Sequence, residues 1–247
     1  MLIALLSDIH GNREALDACL DHAGRMRADR YVFLGDYVGY GADPGAVLGI
    51  VRTYVARGAV ALKGNHDEAA ADGRGLGMNP LARAAIAWTH GRLDEEGRAF
   101  LQSLPLAHRD GERLFVHASA CAPGEWGYVF EAFEAERSLR CTDARLTFCG
   151  HTHVPAVFHQ TRGRPACAFR PVACAGVPLL PGRRWLAVIG AVGQPRDGDP
   201  AACYALLHHE RDVLTYIRVP YDVESAARKI VDAGLPSPLA ARLFGGR

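Results

Sequence analysis

"LIALLSDIHGN", residues 2–12, opens the chain with a continuous apolar run that stops at two polar residues, Asp8 and His10. An apolar run of this length, followed at once by polar residues and glycine, is typical of a buried strand that ends in a loop. Beyond Asn12, apolar residues recur at helical spacing, at Leu16, Cys19, Leu20 and Ala23. The start of the chain therefore predicts a strand, a loop and an amphipathic helix.

The same order recurs twice further along. In "RYVFLGDYVGYGADP" (30–44) an apolar strand over 31–34 precedes a glycine-rich loop, and a helix is predicted from about Pro44 through "GAVLGIVRTYV". "GAVALKGNHD" (58–67) is a third apolar run that leads into polar residues. This alternation predicts a sheet with parallel strands and helices packed on it.

Further strands and helices follow the glycine-rich segment 71–80. Helices are predicted around 81–104, and "RLFVHAS" (113–119) and "RLTFCGHTH" (145–153) are two more apolar strands. After Pro155, "CYALLHH" and "DVLTYIRVP" predict an antiparallel pair, and residues 223–234 predict a late helix that ends at Gly234. With no repeat and no linker, we predict one domain over residues 1–247, its later strands forming a second sheet packed on the first.

Composition indicates a globular protein and narrows its partners. Apolar residues make up 49% and charged residues 22% of the 247 residues. The net charge is +1, from 28 basic and 27 acidic residues, so there is no basic surplus for a long nucleic acid. The N-terminus lacks a basic leader, and no segment approaches the roughly 20 apolar residues of a membrane span. We therefore expect a cytoplasmic protein with no membrane partner, either monomeric or oligomeric.

Seven cysteines are present, an odd number, and none forms a C-x-x-C pair. This pattern favours neither a disulfide framework nor a cysteine zinc site. We expect buried free thiols.

Polar residues follow each of five predicted strands. Taken singly, each has an ordinary explanation: a turn for Asp8 or Asp36, a left-handed backbone for Asn65, a rim position for His117. In open α/β sheets, however, ligands bind beyond the carboxyl ends of the strands, so all five groups are expected to converge. The groups are Asp8 with His10, Asp36, Asn65 with His66 and Asp67, His117, and His151 with His153.

Metal binding explains this mixture of side chains. Carboxylate, carboxamide oxygen and imidazole suit divalent Mn, Fe, Zn, Co or Ni. Seven such residues are too many for one ion, so we predict two ions that share a carboxylate. Two ions about 3.5–4 Å apart are the usual arrangement for phosphoester hydrolysis.

The motifs "D-x-H", "G-D", "G-N-H-D", "V-H-A" and "G-H-T-H", in that order over residues 8–153, resemble those of the calcineurin-like metallophosphoesterase superfamily. "GDYVGYGADP", "GNHDEA" and "VGQPRDGDP" are similar to its small bacterial and archaeal branch of YfcE or MJ0936 type. The resemblance implies an α/β (α+β) fold, a four-layer αββα sandwich of two mixed β-sheets flanked by helices.

The resemblance also implies roles for these residues. His66 would protonate the leaving alkoxide or steady phosphoryl charge, and Asp67 would orient loop groups around His66. The implied reaction is hydrolysis of a phosphodiester or small phosphomonoester by a metal-bridging hydroxide, with manganese expected and Fe, Ni, Zn or Co as alternatives. The implied ligands are Asp8, His10 and His153 for one metal, Asn65, His117 and His151 for the other, and Asp36 as the bridge.

Two departures from relatives limit these expectations. Protein serine/threonine phosphatases and diadenosine tetraphosphatases of the superfamily read "G-D-x-V-D-R-G", whereas this chain reads "GDYVGYG", with Gly39 and Tyr40 in place of the acid and the phosphate-binding arginine. In "VIGAVGQPRDG" (188–198), Val188 and Ala191 replace polar residues, which leaves the role of the 188–199 stretch open. A protein phosphatase, a silent binding scaffold and a nuclease remain alternatives.

Three further features have two interpretations each. Trp126 and Tyr128 either pack or face a base or aromatic leaving group. The 71–80 segment is either a plain loop or a mobile wall of the site. For Arg196 we expect an exposed position in a hairpin, with phosphate binding as the alternative.

Overall fold

The chain forms twelve strands and eight helices, and the computed structural model describes it from Met1 to Arg247. The strands are β1 (Leu2–Leu6), β2 (Arg30–Phe33), β3 (Val60–Ala61), β4 (Ala107–Asp110), β5 (Arg113–Val116), β6 (Leu146–Cys149), β7 (Ala156–Thr161), β8 (Cys167–Phe169), β9 (Gly176–Pro178), β10 (Arg183–Val188), β11 (Ala202–His208) and β12 (Val213–Val219). The helices are α1 (Arg13–Arg25), α2 (Pro44–Ala56), α3 (Asn65–Asp72), α4 (Pro80–His90), α5 (Glu95–Ser103), α6 (Ala132–Arg140), α7 (Val223–Asp232) and α8 (Ser237–Gly245).

The apolar run at the start of the chain is a strand with both faces buried. Ile3 and Leu5 pack into the core between the two sheets, whereas Ala4 and Leu6 pack with the helices outside the first sheet. Side chains alternate between the faces of a strand, so a strand covered on both faces reads as a continuous apolar run. β1 is accordingly a central strand, paired with β2 on one side and β11 on the other.

The first sheet has the order β3-β2-β1-β11-β12-β9. β1, β2 and β3 run parallel, as the alternation predicts, while β11, β12 and β9 add antiparallel strands. The expectation that the later strands form the second sheet is wrong for β9, β11 and β12. β11 pairs with β1 from Leu2↔His208 to Leu5↔Ala205, and β12 and β9 continue the same sheet. An apolar strand pattern reports burial and does not identify the neighbouring strand.

The second sheet has the order β4-β5-β6-β10-β7-β8 and is also mixed. β5 and β6 are parallel to each other, and their apolar residues Phe115 and Phe148 stack at 5.3 Å in the core between the sheets. Helix α6 covers the outer face of this sheet through Leu139 and Ala135. Helices thus flank both sheets, and the predicted four-layer sandwich of two mixed sheets is confirmed.

The sandwich brings strand ends from both sheets to one rim. The Asp8 N–H donates to the Gly35 carbonyl at 3.1 Å, which ties the ends of β1 and β2 together. The Gly150 N–H donates to the His117 carbonyl at 2.9 Å, which does the same for β6 and β5. The five polar groups therefore meet as predicted. They meet where the rims of the two sheets adjoin, and not at the edge of a single sheet.

The expectation of buried free thiols is only partly correct. Cys19, Cys149 and Cys203 are buried and free, whereas Cys167 and Cys174 are free but exposed. Cys121 and Cys141 form a disulfide, with Cα atoms 5.1 Å apart. Cys121 precedes α6 and Cys141 follows it, so their approach depends on how the loop before α6 folds. The spacing of the cysteines along the chain does not reveal this contact. No helix combines the length and the apolar composition needed to span a bilayer.

Candidate metal centre

The loops that carry the predicted ligands have an uncommon backbone. Positive φ angles occur at Asp8 (54°), His10 (51°), Asp36 (56°), His151 (69°) and His153 (62°). A non-glycine residue in this region costs on the order of 1–3 kcal/mol and persists only where surrounding contacts hold it. Such conformations cluster at functional sites, so the strained loops themselves mark this rim as one.

The first group of side chains contains Asp8, His10, Asp36 and His153, all buried. Nε2 of His10 lies 3.1 Å from Nε2 of His153. The same His153 atom is 3.3 Å from Asp8 Oδ1, and His10 Nε2 is 3.6 Å from Asp36 Oδ2. Two imidazoles and two carboxylates therefore point into one small space.

Hydrogen bonds at the far side of the rings assign the tautomers. Nδ1 of His10 lies 3.0 Å from the Val38 carbonyl, and Nδ1 of His153 lies 2.6 Å from the Gln194 carbonyl. Because a carbonyl only accepts, each Nδ1 carries the hydrogen, and a neutral ring then presents the Nε2 lone pair. Two lone pairs facing each other at 3.1 Å repel unless a cation lies between them. The donor set therefore fits a divalent metal.

The second group contains Asp36, His117 and His151, with Asn65 beside them. His117 Nε2 is 3.2 Å from His151 Nδ1, 3.4 Å from Asp36 Oδ2 and 3.3 Å from Asn65 Oδ1. His117 Nδ1 faces the Leu34 carbonyl at 2.9 Å, the same orientation as in the first group. The two histidines of "GHTH" therefore belong to different groups, and Asp36 belongs to both.

All seven predicted ligand side chains thus meet in one centre. Asn65 reaches it from an unexpected element, because it is the first residue of α3, and the strand before it, β3, has only two residues. His66 follows on the same helix, with its ring centroid 4.8 Å from that of His10 and 4.5 Å from that of Tyr40.

Gly39 leaves the space that the His66 ring occupies. A Cβ at position 39 would lie 2.4 Å from His66 Nδ1, and φ at Gly39 is +81°. His66 Nδ1 is buried without a hydrogen-bond partner. Any side chain at position 39 would therefore have to displace the His66 ring from this position.

Burial and neighbouring charges set the protonation of the centre. Burial lowers the pKa of His66 to about 4 and that of His151 to about 3. At His117 burial acts in the same sense, but the Asp36 carboxylate outweighs it and raises the pKa to about 9. Burial acts to raise the pKa of the Asp8 and Asp36 carboxyls, yet the surrounding histidines hold both below the ordinary value. Both aspartates are therefore ionised at neutral pH.

Asp67 fastens the loop that carries Asp36. Its carboxylate accepts hydrogen bonds from the backbone N–H groups of Asp36 at 2.7 Å, Tyr37 at 2.8 Å and Gly64 at 2.9 Å. The side chain is fully buried. The structure thus shows Asp67 holding the backbone of the loop that carries Asp36.

Replacing Asp67 by alanine is expected to lower the free energy of unfolding by about 3 kcal/mol or more, because each buried N–H left without an acceptor costs about 1–3 kcal/mol. Urea unfolding followed by circular dichroism measures the change. Asp67→Asn, which keeps one acceptor oxygen, should give a smaller loss. Asp143→Ala is the control, because the Asp143 side chain is 89% exposed. Equal losses in Asp67→Ala and Asp143→Ala would exclude this role.

A cavity of about 560 Å³ opens beside the centre. Asn65, His66 and His151 line the cavity. Arg74 and residues 76–79 also line it, so the 71–80 segment borders the site. Trp126 and Tyr128 line the cavity as well; the Tyr128 ring stacks on His151 at 4.1 Å, and Trp126 Nε1 donates to Glu68 at 3.2 Å. Both aromatics therefore face the space that a substrate would enter.

The expectation that Arg196 is exposed in a hairpin is wrong. Arg196 is half-buried, and its guanidinium carbon lies 5.6 Å from the centroid of the Tyr40 ring. The Tyr40 ring itself packs against His66. Gln194, whose carbonyl orients His153, is a second residue that the sequence did not single out. The segment "VGQPRDGDP" signals this loop, but the pattern does not show which residues face the centre.

Comparison with known proteins shows one family over most of the chain. The model of the calcineurin-like phosphoesterase superfamily domain matches residues 1–212. An uncharacterized protein of Methanocaldococcus jannaschii, MJ0912, is 33% identical over all of this chain and 98% of its own. The crystal structure of a metallophosphoesterase from Sphaerobacter thermophilus is similar, with a TM-score of 0.88 at 37% identity over 100% of this chain and 99% of its own. The hypothetical protein PH1004 of Pyrococcus horikoshii shares the fold, with a TM-score of 0.81 at 21% identity over 100% of this chain and 98% of its own.

Proposed function

Because the chain belongs to the calcineurin-like phosphoesterase superfamily, we propose that it is a binuclear metal-dependent phosphoesterase acting on a phosphodiester or a small phosphomonoester. The observation that carries the proposal is the position of Asp36, a carboxylate common to two buried groups of ligand atoms. A shared carboxylate is what two neighbouring ions require.

In this proposal each ion has its own ligands. Manganese is the expected metal, with Fe, Ni, Zn or Co as alternatives, since the donors are nitrogen and oxygen without thiolate. When bound, the ions supply Lewis acidity at the phosphoryl oxygens and activate water. The proposed ligands are Asp8, His10 and His153 for one ion, Asn65, His117 and His151 for the other, and Asp36 for both.

His66 is proposed to assist departure of the leaving group. It lies at the junction of the centre and the cavity, so it can reach an ester oxygen that points into the cavity. With its pKa lowered by burial, His66 is neutral at pH 7, and the neutral ring donates a hydrogen bond that stabilises charge on the departing alkoxide. Trp126 and Tyr128 would contact the leaving group.

The proposed substrate is small. The cavity holds a molecule of moderate size, and the net charge of +1 offers no extended basic surface for a nucleic acid backbone. The serine/threonine phosphatase alternative has no arginine at position 40 to support it.

A matrix of metals and substrates tests the proposal. The metal-free protein is loaded with Mn²⁺, Fe²⁺, Ni²⁺ or Zn²⁺ and assayed on an aryl phosphomonoester, an aryl phosphodiester, cyclic nucleotides and a phosphopeptide. Metal-dependent turnover of a diester or small monoester is expected, and the ratio between them identifies the reaction. A protein that binds no metal and stays inert with Mn²⁺ would instead be a scaffold. Preferred turnover of the phosphopeptide would favour a protein phosphatase.

His151→Ala and His153→Ala are each expected to reduce bound manganese from two ions to about one, since each imidazole faces a different group. Elemental analysis gives the stoichiometry, and electron paramagnetic resonance separates a coupled pair from an isolated ion. The double variant should lose both ions. Retention of one ion by the double variant would mean that both histidines serve the same ion. His159→Ala, outside the centre, is the control and should keep two.

A further inference from the structure

Arg196 lies against the metal centre from an element that contributes no ligand. Its backbone N–H donates to the His153 carbonyl at 3.2 Å, which fixes the loop after β10 to the ligand loop. Its side chain turns back over the Tyr40 ring, whose centroid is 4.5 Å from that of His66 and 4.7 Å from that of His10. The guanidinium therefore packs on Tyr40, and Tyr40 in turn packs on His10 and His66.

The charge of Arg196 has no carboxylate partner. No carboxylate oxygen lies within 4.0 Å of it, and the acids nearest in sequence, Asp197 and Asp199, both pair with Arg218. The anchor is neutral: Oε1 of Gln194 accepts from Arg196 Nε at 3.3 Å and Nη2 at 2.9 Å. Gln194 is 1% exposed, so the side chain that accepts from the guanidinium is buried.

Holding the Arg196 charge beside the centre without a counter-anion costs free energy. Two divalent ions with two aspartates would leave the centre positively charged. An anion between the centre and the guanidinium would then stabilise both. Arg196 remains accessible from solvent because it is only half-buried. Arginine donors suit phosphate oxygens in particular.

We propose that the Arg196 guanidinium, held by Gln194 and Tyr40, binds a non-bridging oxygen of the phosphoryl group in the substrate and in the phosphate product. The inference rests on the proposed function, because the same centre places the phosphoryl group. A dianionic monoester or inorganic phosphate should depend on Arg196 more than a monoanionic diester does.

Binding of inorganic phosphate to the manganese-loaded protein tests the proposal without turnover. We expect Arg196→Ala to raise the dissociation constant for phosphate, measured by calorimetry, by about 10-fold or more, the scale of a lost charge-assisted hydrogen bond. Arg196→Lys keeps the charge but not the planar fork, and should lose less. Added guanidinium should restore part of the affinity in Arg196→Ala. Arg170→Ala is the matched control and should bind phosphate as the wild type does. Arg170 is exposed and follows β8, the edge strand of the second sheet.

Three results would overturn the proposal: phosphate affinity within about twofold of wild type in both Arg196 variants, the same weakening in Arg170→Ala, or no phosphate binding by the loaded wild type. A purely structural role would lower metal content and Tm without rescue by guanidinium, and would also overturn it. Failure of the proposed function is distinguishable, because it would appear as no ester turnover while phosphate binding still depends on Arg196.

Discussion

Replacement of Asp36 by asparagine is expected to lower turnover by about 10³-fold and to release at least one metal ion. Removing a shared carboxylate forfeits several kcal/mol of transition-state stabilisation, and about 1.4 kcal/mol corresponds to a factor of ten in rate. The orientation of the new amide is constrained, because Asp36 Oδ1 accepts from the His66 N–H at 2.8 Å and the asparagine oxygen must take that place. Its NH₂ group then replaces the Oδ2 that faces His10 and His117.

Metal content and turnover of the Asp36→Asn variant are measured on the same preparation. Asp17→Asn is the matched control, since Asp17 is an exposed residue paired with Arg13 on α1 and belongs to neither group of candidate ligand atoms. The control should keep both ions and full turnover. Two bound ions with turnover within about tenfold of wild type in Asp36→Asn would show that Asp36 is not the bridge.

Replacement of His66 by alanine is expected to lower turnover by about 10²-fold or more while both ions remain bound, the usual scale for loss of a hydrogen-bond donor to developing negative charge. His66 contacts the centre through its ring and is not among the groups that could hold a metal, so the ligands should stay in place. The loss should be larger for an alkyl ester than for an aryl ester. An alkoxide is a poorer leaving group than an aryloxide, so its departure depends more on a hydrogen bond from His66.

Steady-state kinetics on matched alkyl and aryl esters, together with elemental analysis, check this role. His208→Ala is the control, because His208 pairs with Leu2 at the start of β1, the end opposite to Asp8, and is not among the groups that could hold a metal. Unchanged turnover in His66→Ala would remove the assignment. A loss of metal that matches the loss of turnover would mean that His66 supports a ligand and does not contact the leaving group.

Much of the fold was predictable because local sequence reports burial. β1 reads as a continuous apolar run since Ile3 and Leu5 face one core and Ala4 and Leu6 face another. β11 shows the same pattern for the same reason. Its place in the first sheet is therefore not predictable, because two strands buried on both faces look alike in sequence. The disulfide between Cys121 and Cys141 escaped prediction because no spacing rule links the two positions.

The candidate site was predictable in its members and less so in its surroundings. Asp8, Asp36 and His117 each follow an apolar strand, so their convergence follows from the rule that parallel strands end at one rim. Gln194 and Arg196 follow no such rule: one acts through a backbone carbonyl and the other reaches the centre by folding over Tyr40. Contacts of this kind depend on how a distant loop packs.

The sequence alone determined the alternation of strands and helices, the family resemblance, and the seven side chains proposed as ligands, because chain order and residue type carry that information. Only the tertiary structure decided that two sheets share the rim, that Asp36 lies between two groups of ligand atoms, and that Arg196 stands beside them without a carboxylate. The physical reason is that these features are distances between residues remote in the chain, and packing of the sandwich, with its strained left-handed loops, sets those distances.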